Sequence, residues 1–479
     1  MKLKQIFSIL LSIIFICLNC LCVYATDYEA EAEERKDMTV ESNLYENWPA
    51  GPKIGAQSAI LIEANTGVTL YEKNIHDKLY PASVTKILTA LIAVEKCDLD
   101  EMVTFSYDAV NSIDWRTDAN MGINANDSIT MEQCLYGLLV GSANEAAYAI
   151  AEHICGEGNV SDFAKLMNEK AAELGCVDSN FVTPNGIHDE NHYTSAYDLS
   201  KIATAFFDNE LLCKISSTSS YMIPTSDTQP NPDMAVYAKS KLLPGKEYAY
   251  DGLVGTKTGY TEYARQTLVS CAEKNGMKLI CVILKEESPG QYTDSHELFD
   301  YGFNNFYVAN ISNNDSSYNI QSANSFSSGK DLFGNSTPLI QMDSDDYVIL
   351  PVGSDFNSVS SSVSYNDLGE DEIARVDYFY FDTYVGSGHI VPTSVQQSGY
   401  TFGTNISQLD NNSDNEDNII VVDILKILAI TVGVALILIL LFTLRAVFIS
   451  KRRNRRRNRA SKNYEYTKSR ISFDTKKRS

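Results

Sequence analysis

The sequence predicts an α/β (α+β) fold in which an antiparallel sheet is sandwiched by helices, followed by a small all-β domain and one C-terminal transmembrane helix. Three observations support this prediction. Strand pairs joined by turn residues stand at both ends of a central helical block, short alternating segments follow between about 346 and 391, and a long apolar run begins at Ile424. A chain of 479 residues has room for two or three domains.

The N-terminus predicts export. Two lysines precede an apolar run from Ile6 to Cys22, and a small-residue cleavage site ends at Ala25, which is typical of a signal peptide over residues 1–25. Residues 26–50 are acidic and show no apolar periodicity. We therefore expect them to form a flexible arm.

Residues 51–308 hold the predicted sandwich. Asn-Thr-Gly and Asn-Gly turns each separate two runs with strand character, which is typical of hairpins. The predicted elements in chain order are a hairpin of Ser58–Ile62 and Val68–Glu72, helices to about Phe207, an irregular Ser/Pro/Asp-rich segment Cys213–Lys246, a strand Leu253–Gly259, a hairpin of Gln266–Ala272 and Lys278–Leu284, and a helix Leu298–Tyr307 that closes the sheet.

A serine and a lysine three residues apart open the helical block, at Ser83-Val-Thr-Lys86. Pro81 suits a first helical turn, and an apolar stripe at helical spacing follows, so Ser83 should lie near a helix N-terminus. Positions i and i+3 share one helix face, which brings the Lys86 amine beside the Ser83 hydroxyl. A neutral lysine can activate a serine nucleophile, and burial or a second cation lowers a lysine pKa.

Two further strings complete an ordered set. Ser142-Ala-Asn144 falls between two apolar runs, which predicts a tight loop joining helices, where the hydroxyl can relay a proton and the amide can hold a carbonyl. Lys257-Thr258-Gly259 lies on a predicted strand whose glycine lets another backbone approach closely. An extended peptide could add to that strand, with Lys257 and Thr258 meeting its terminal carboxylate. Lys257 is also the candidate second cation beside Lys86.

Decoys show that each string alone is weak. Ser327-Ser-Gly-Lys330 also fits the first pattern, Ser322-Ala-Asn324 fits the second, and Ser413-Asp-Asn415 resembles it too. The 327–330 match has no apolar helix behind it, whereas Lys257-Thr258-Gly259 occurs once. The functional prediction therefore depends on the order of the three strings and on the predicted helices and strand around them.

With these strings the chain resembles the penicillin-binding proteins, whose signature combines S-x-x-K, K-T-G and S-D-N or a relative of it. More narrowly, it resembles the low-molecular-mass serine D-Ala-D-Ala carboxypeptidases over about Lys53 to Tyr307. The segments that carry this wider resemblance are Ala64-Asn-Thr-Gly67, Leu79-Tyr-Pro-Ala-Ser-Val-Thr-Lys86, Asn185-Gly186, His192-Tyr-Thr-Ser-Ala-Tyr-Asp198 and Gly255-Thr-Lys-Thr-Gly-Tyr-Thr261.

The resemblance implies a role for each residue of the strings. Ser83 would be the acylated nucleophile, Lys86 its base and Ser142 the proton shuttle to the leaving D-alanine. Asn144 would orient the substrate amide, Lys257 and Thr258 would hold its carboxylate, and the backbone N–H groups of Ser83 and Tyr260 would form the oxyanion hole. The implied partners are peptidoglycan pentapeptides ending in D-Ala-D-Ala, with β-lactam antibiotics as covalent inhibitors. The sequence departs from many relatives at Tyr263-Ala-Arg265-Gln266, which leaves substrate preference open.

Other functions remain as alternatives. A β-lactamase shares the three strings, but it needs an efficient deacylation base, and the E-x-x-L-N segment of the commonest class is absent after Ser142. A DD-endopeptidase or transpeptidase acting on the same wall is hardly separable by sequence. A non-catalytic wall-binding scaffold would be expected to lack one of the key side chains, and none is missing.

The C-terminal half predicts an anchor. Alternating segments indicate a β-rich domain over residues 329–404, and a polar linker follows over 405–423. The apolar run 424–444 has 21 residues with one charge, enough to cross a bilayer as a helix of about 31 Å. The basic tail 445–479 holds 14 Lys or Arg, which marks the cytoplasmic side. We therefore expect a single-pass plasma membrane protein whose catalytic domain faces the cell wall.

Charge and metal-binding residues narrow the function further. The whole chain carries −23, so removing the +12 of the tail and the +2 of the signal peptide leaves −37 for residues 26–444, which argues against binding nucleic acid. Seven cysteines remain after the signal peptide, so at least one thiol is free. His188 and His192 at i, i+4 in a loop make a poor zinc pair, and we predict neither a metal nor a cofactor.

Overall fold

The computed structural model describes residues 28–231, 234–315, 340–366, 368–369 and 372–392. The helices are α1 (Tyr28–Arg35), α2 (Lys86–Lys96), α3 (Tyr107–Asn111), α4 (Met131–Leu139), α5 (Asn144–Cys155), α6 (Val160–Glu173), α7 (Ala196–Asp208), α8 (Glu210–Ser216), α9 (Gly290–Asn305) and α10 (Ile311–Asn314). The 3-10 helices are Glu41–Leu44, Ala82–Thr85 and Phe356–Ser358. The strands are β1 (Ser58–Glu63), β2 (Thr69–Lys73), β3 (Met102–Thr104), β4 (Ser128–Thr130), β5 (Ser220–Ile223), β6 (Met234–Tyr237), β7 (Leu253–Thr261), β8 (Arg265–Lys274), β9 (Met277–Glu286), β10 (Phe306–Asn310), β11 (Ile340–Met342), β12 (Tyr347–Pro351), β13 (Val359–Ser364), β14 (Ala374–Tyr380) and β15 (Thr383–Pro392).

A five-stranded sheet in the order β2-β1-β9-β8-β7 forms the centre, and every pair in it is antiparallel. All six residues of β1 are buried, because helices cover both faces of the sheet. Helix α7 contributes to the apolar cluster on one face and α9 to the cluster on the other. The predicted antiparallel sheet sandwiched by helices is confirmed.

Helix α2 lies in the middle of the helical layer. Eight of its eleven residues are buried, since its apolar stripe meets α4, α5 and α7. Thr130 closes the start of α4 with a capping box in which Gln133 returns the hydrogen bond. Residues 140–143 then join α4 to α5, which is the tight loop that the sequence predicts for Ser142. The ends of these helices therefore meet beside the sheet.

The structure contradicts the flexible arm predicted for residues 26–50, in the part that it describes. Residues 28–35 form α1, and the segment docks on the first hairpin of the sheet. Arg35 Nε donates to the Gly55 carbonyl at 2.7 Å, and Trp48 Nε1 donates to the Leu70 carbonyl at 2.9 Å, with both side chains buried. Polar side-chain atoms hold this segment by hydrogen bonds, and such contacts produce no hydrophobic periodicity in a sequence. The prediction relied on that periodicity and therefore missed the ordered segment.

Three predicted elements differ in their extent. Residues 213–246, expected to be irregular, include the end of α8 and the short antiparallel pair of β5 and β6. The helix expected at 298–307 begins earlier, at Gly290, and ends at Asn305. Strand β10 begins at Phe306, whose side chain packs in an apolar cluster. Within the alternating stretch expected at about 346–391, residues 374–384 lie in two strands, since Phe381 turns the chain with a φ of 53°.

The β-rich segment packs on the domain that contains the five-stranded sheet. Strands β11, β15, β14 and β13 form a four-stranded sheet, and β12 pairs with β10. The hydroxyl of Tyr347 accepts from Asn65 Nδ2 at 2.8 Å and donates to Glu63 Oε1 at 3.1 Å. The predicted domain boundary at 308 falls inside β10, because this strand belongs to a shared apolar cluster. The side chains of Tyr378 and Tyr380 are buried in the apolar core.

Several predicted segments lie outside the described residues. They are the signal peptide 1–25, the polar linker 405–423, the membrane span 424–444, the basic tail 445–479 and the decoy serines at 322, 327 and 413. Within the part of the chain that the structure describes, no helix combines the length and apolarity needed to cross a membrane. The cysteines at 97, 134, 155, 176, 213, 271 and 281 are all free thiols.

Candidate active site

Ser83 lies in a 3-10 turn that leads directly into α2. Pro81 precedes this turn, and Ala82 adopts a φ of 52°, a left-handed conformation that is rare for a residue with a Cβ. Gly186 packs against the Ala82 carbonyl so closely that a Cβ there would overlap it. Because α2 starts at Lys86, the lysine amine reaches back along the helix and lies 2.8 Å from Ser83 Oγ.

The loop between α4 and α5 brings the second string to the same point. Ser142 has a φ of 60°, and its Oγ accepts from Lys257 Nζ at 2.9 Å and from Lys86 Nζ at 3.4 Å. Asn144 Oδ1 accepts from Lys86 Nζ at 2.6 Å. A neutral amine has two N–H donors and one lone pair, so Lys86 can donate to Asn144 and Ser142 while it accepts the Ser83 proton.

The two lysines have lowered pKa values, for reasons that the structure shows. Burial is the main cause that lowers the pKa of Lys86 well below its usual range, and the nearby charge of Lys257 lowers it further, whereas Glu145 and Asp118 act in the opposite direction. Burial, with Lys239, lowers the pKa of Lys257 to about 7. Burial and the neighbouring charge therefore favour the neutral amine of Lys86, which is the form that can act as a base.

The third string lies on β7, the edge strand of the sheet. A Cβ at Gly259 would approach Ser83 N to 2.8 Å and Pro81 O to 3.0 Å, and it would overlap the Thr267 hydroxyl. Thr267 Oγ1 donates to the Pro81 carbonyl at 2.8 Å, which fixes the 3-10 turn to the sheet. Glycine is required at 259, because the strand and the turn bearing Ser83 are in direct contact.

A cavity of about 320 Å³ opens at the meeting point of these strings. Six of the eight predicted site residues line it, while the side chains of Lys86 and Lys257 are buried beneath. The predicted residues that line the cavity are Ser83, Ser142, Asn144, Thr258, Gly259 and Tyr260.

Other lining residues were given no role in the site from the sequence. Thr117 and Asp118 come from the loop before β4, Lys239 follows β6, Gln266 is on β8 and Tyr292 is on α9. Glu145, buried beside the site, accepts from Met121 N at 2.6 Å and so holds this side of the loop against the start of α5. None of these residues belongs to a motif, and only the tertiary fold brings them together.

His192 is part of the support of the site and does not form a zinc pair with His188. Its Nδ1 accepts from Val182 N at 3.0 Å, so the proton is on Nε2, which donates to Thr85 Oγ1 at 2.9 Å. Burial lowers the pKa of His192 to about 4 and keeps the ring neutral. The ring of His188 stacks on Tyr263, with centroids 3.9 Å apart.

A family model and two relatives with similar sequences carry the same description. Residues 45–288 match the peptidase S11 family, described as D-alanyl-D-alanine carboxypeptidase. The D-alanyl-D-alanine carboxypeptidase DacF of Bacillus subtilis is 32% identical over 258 residues, which are 52% of this chain and 63% of that relative. DacB2 of Mycobacterium tuberculosis, also a D-alanyl-D-alanine carboxypeptidase, is 32% identical over 53% of this chain and 84% of its own length.

A solved structure is similar in fold. The crystal structure of the Streptomyces K15 DD-transpeptidase matches with a TM-score of 0.51 at 28% identity, over 53% of this chain and all of that one. The matched family region takes up half of the sequence, and it contains the three strings and every residue that lines the cavity except Tyr292. The chain therefore belongs to the D-alanyl-D-alanine carboxypeptidase family of serine peptidases.

Proposed function

We propose that the protein is a serine-type D-Ala-D-Ala carboxypeptidase that removes the terminal D-alanine from peptidoglycan stem peptides through a Ser83 acyl-enzyme. One observation carries the proposal: a buried lysine with a lowered pKa lies 2.8 Å from the serine hydroxyl, at the floor of an open cavity. A general base at that distance can take the hydroxyl proton as the oxygen attacks.

Acylation proceeds by attack of Ser83 Oγ on the carbonyl carbon of the penultimate D-alanine. Lys86 takes the hydroxyl proton, and the carbonyl oxygen becomes negative, facing the backbone N–H groups of Ser83 and Tyr260. The C–N bond then breaks, and the proton returns through Ser142 to the nitrogen of the leaving D-alanine. The contacts of Ser142 Oγ with both lysines support this relay. Water releases the shortened peptide and restores the Ser83 hydroxyl.

Substrate binding follows from the edge position of β7. An extended peptide pairs with this strand, and its terminal carboxylate meets Lys257 and the hydroxyl of Thr258. Asn144 is the first residue of α5 and lies on the opposite wall of the cavity, where its side chain orients the substrate amide. β-Lactams, which carry an acyl group and a carboxylate, acylate the same serine.

A second function has a specific observation behind it, because the similar solved structure is named a DD-transpeptidase. The two reactions share acylation and differ in whether water or an amine attacks the acyl-enzyme. A DD-endopeptidase would cut the same type of bond in a cross-linked substrate. Release of D-alanine measured with and without an added amine acceptor separates hydrolysis from transfer.

We also propose where the enzyme works. The export signal, the apolar run 424–444 and the basic tail support a plasma membrane protein with a single span, whose catalytic domain faces the cell wall. The β-rich segment would then hold the cavity above the membrane surface. Protease treatment of intact cells should digest the catalytic domain and spare an epitope attached after Ser479.

The test of the activity uses the full chain in detergent and a diacyl-Lys-D-Ala-D-Ala tripeptide. The parent should release D-alanine and bind penicillin covalently, and Ser83→Ala should do neither, because it removes the hydroxyl that lies 2.8 Å from Lys86 Nζ and acts as the nucleophile. Ser327→Ala is the matched control, since it removes the serine of a second S-x-x-K string, and it should behave like the parent. A penicillin adduct on Ser83→Ala would disprove the assignment of the nucleophile.

A further inference from the structure

A cysteine, a glutamate and a histidine meet far from the cavity described above. Cys97 follows the last residue of α2, Glu101 lies in the loop before β3, and His153 is near the end of α5. One ligand atom from each side chain lies within 4.8 Å of the other two. The His153 Nε2 and Glu101 Oε2 atoms are 2.8 Å apart. We propose that these three side chains form a site for Zn²⁺ or another thiophilic divalent cation.

The donor set fits this class of ion. A thiolate, an imidazole and a carboxylate favour zinc and its neighbours in the first transition row over Mg²⁺ or Ca²⁺, which require oxygen ligands. Zinc bonds of about 2.0 to 2.3 Å place tetrahedral ligands roughly 3.5 Å apart, so small side-chain rotations complete the geometry. Three protein ligands leave the fourth position to a water molecule. The bound ion replaces the thiol proton of Cys97, which passes to solvent.

The backbone around the three residues is already fixed. Asp98 N donates to Glu101 Oε1 at 2.6 Å, which directs the other carboxylate oxygen toward His153. Met131 N donates to the Glu101 carbonyl at 2.9 Å, and Cys97 N donates to the Ala93 carbonyl at 3.0 Å. A second shell that orients the ligands in this way is typical of metal sites. The site needs little ordering when the ion binds.

Solvent can reach the site. The His153 side chain is 22% exposed and that of Glu101 is 41% exposed, whereas Cys97 is half-buried. A hydrated ion can therefore enter, and the thiol lies on the inner side. The pair His76 and Asp178 has the same imidazole–carboxylate distance of 2.8 Å, but among the residues that the structure describes it has no third ligand beside it. It serves as an internal comparison.

The position of the site gives it a structural role. Helix α2 begins at Lys86 and α5 begins at Asn144, and the side chains of these two residues are hydrogen-bonded at the cavity described above. The opposite ends of the same two helices hold Cys97 and His153, about 16 Å away along α2. A bound ion joins these ends and so resists separation of the two helices. We expect Zn²⁺ to raise the Tm of the protein.

Cobalt titration tests the proposal. Co²⁺ added to the reduced full chain in detergent should produce a thiolate-to-cobalt charge-transfer band that saturates at one equivalent, and Zn²⁺ should abolish it. Cys97→Ser should remove the band, and His153→Gln should weaken binding at least tenfold. Two control variants should leave the band unchanged: Cys155→Ser, which lies on the same helix as His153, and His76→Gln.

Circular dichroism shows whether each variant is folded. If Cys97→Ser fails to fold, Glu101→Gln takes its place, and it should weaken Co²⁺ binding at least tenfold, as His153→Gln should. Zn²⁺ should raise the Tm of the parent and of Cys155→Ser, but not that of Cys97→Ser. The proposal is overturned if the parent shows no band, or if the band survives Cys97→Ser or disappears in Cys155→Ser. The readouts do not depend on peptidase activity.

Discussion

Replacement of Lys257 by methionine separates two effects that this lysine has on the site. Methionine fills a similar volume without the charge, so both the ammonium and its 2.9 Å hydrogen bond to Ser142 Oγ are lost. A hydrogen bond between an ammonium and a substrate carboxylate contributes about 1.5 to 3 kcal/mol. At about 1.36 kcal/mol for each tenfold, kcat/KM for D-alanine release should fall about 10- to 150-fold.

The second effect is on the base. The charge of Lys257 lowers the pKa of Lys86, after burial, so its removal should raise that pKa. Lys86 acts only when neutral, and its neutral fraction grows as the pH rises through its pKa. The rate of acylation by penicillin rises with pH as Lys86 loses its proton, and this rise should occur at a higher pH in Lys257→Met than in the parent.

Labelling with a fluorescent penicillin at a series of pH values measures the second effect, and D-alanine release measures the first. Lys241→Met is the matched control, because this lysine pairs with Glu247 on the surface and does not line the cavity. It should leave both profiles unchanged. An unshifted acylation profile in Lys257→Met would refute the argument that one lysine tunes the other.

Two further predictions concern the support of the site. Gly259→Ala should lower the rate of penicillin labelling at least about 100-fold with the fold retained by circular dichroism, because the added Cβ pushes β7 away from Ser83; labelling at the parent rate would contradict this. His192 has a pKa of about 4, against 6.5 in its unperturbed state. Its contribution to stability is complete above about pH 6.5 and is lost as the pH falls toward 4. The loss is worth about 3 kcal/mol of unfolding free energy. His192→Gln should show a correspondingly shallower decline in denaturant titrations from pH 7 to 4, and equal slopes would exclude the role of the histidine.

The sequence predicts the local structure of the first two strings well, because local spacing determines their geometry. Ser83 and Lys86 share a helical turn, and the loop that carries Ser142 is bounded by two apolar helices. Both hairpins are also predicted from their turn residues. These features depend on neighbours within a few positions, which periodicity and turn chemistry describe.

Features that depend on distant residues were not predicted. Lys239 and Asp118 influence the two lysines from loops that only the folded chain brings near them. The docking of the acidic segment depends on Arg35 and Trp48, which reach backbone carbonyls about 20 positions away. Every residue has a backbone carbonyl, so a hydrogen bond to one does not depend on the type of the partner residue. A single sequence therefore does not reveal such contacts.

The edge position of β7 has a consequence for solubility. A strand that offers unpaired backbone groups to a substrate also offers them to a second protein molecule, and open edges promote aggregation. This edge contains two features that discourage such pairing. A bulge interrupts its register between Leu253 and Gly255, and the buried ammonium of Lys257 points inward from its middle. An extended peptide substrate brings a terminal carboxylate to this lysine, whereas the edge strand of a second copy brings none, so the same edge should accept the peptide more readily than another copy of the protein.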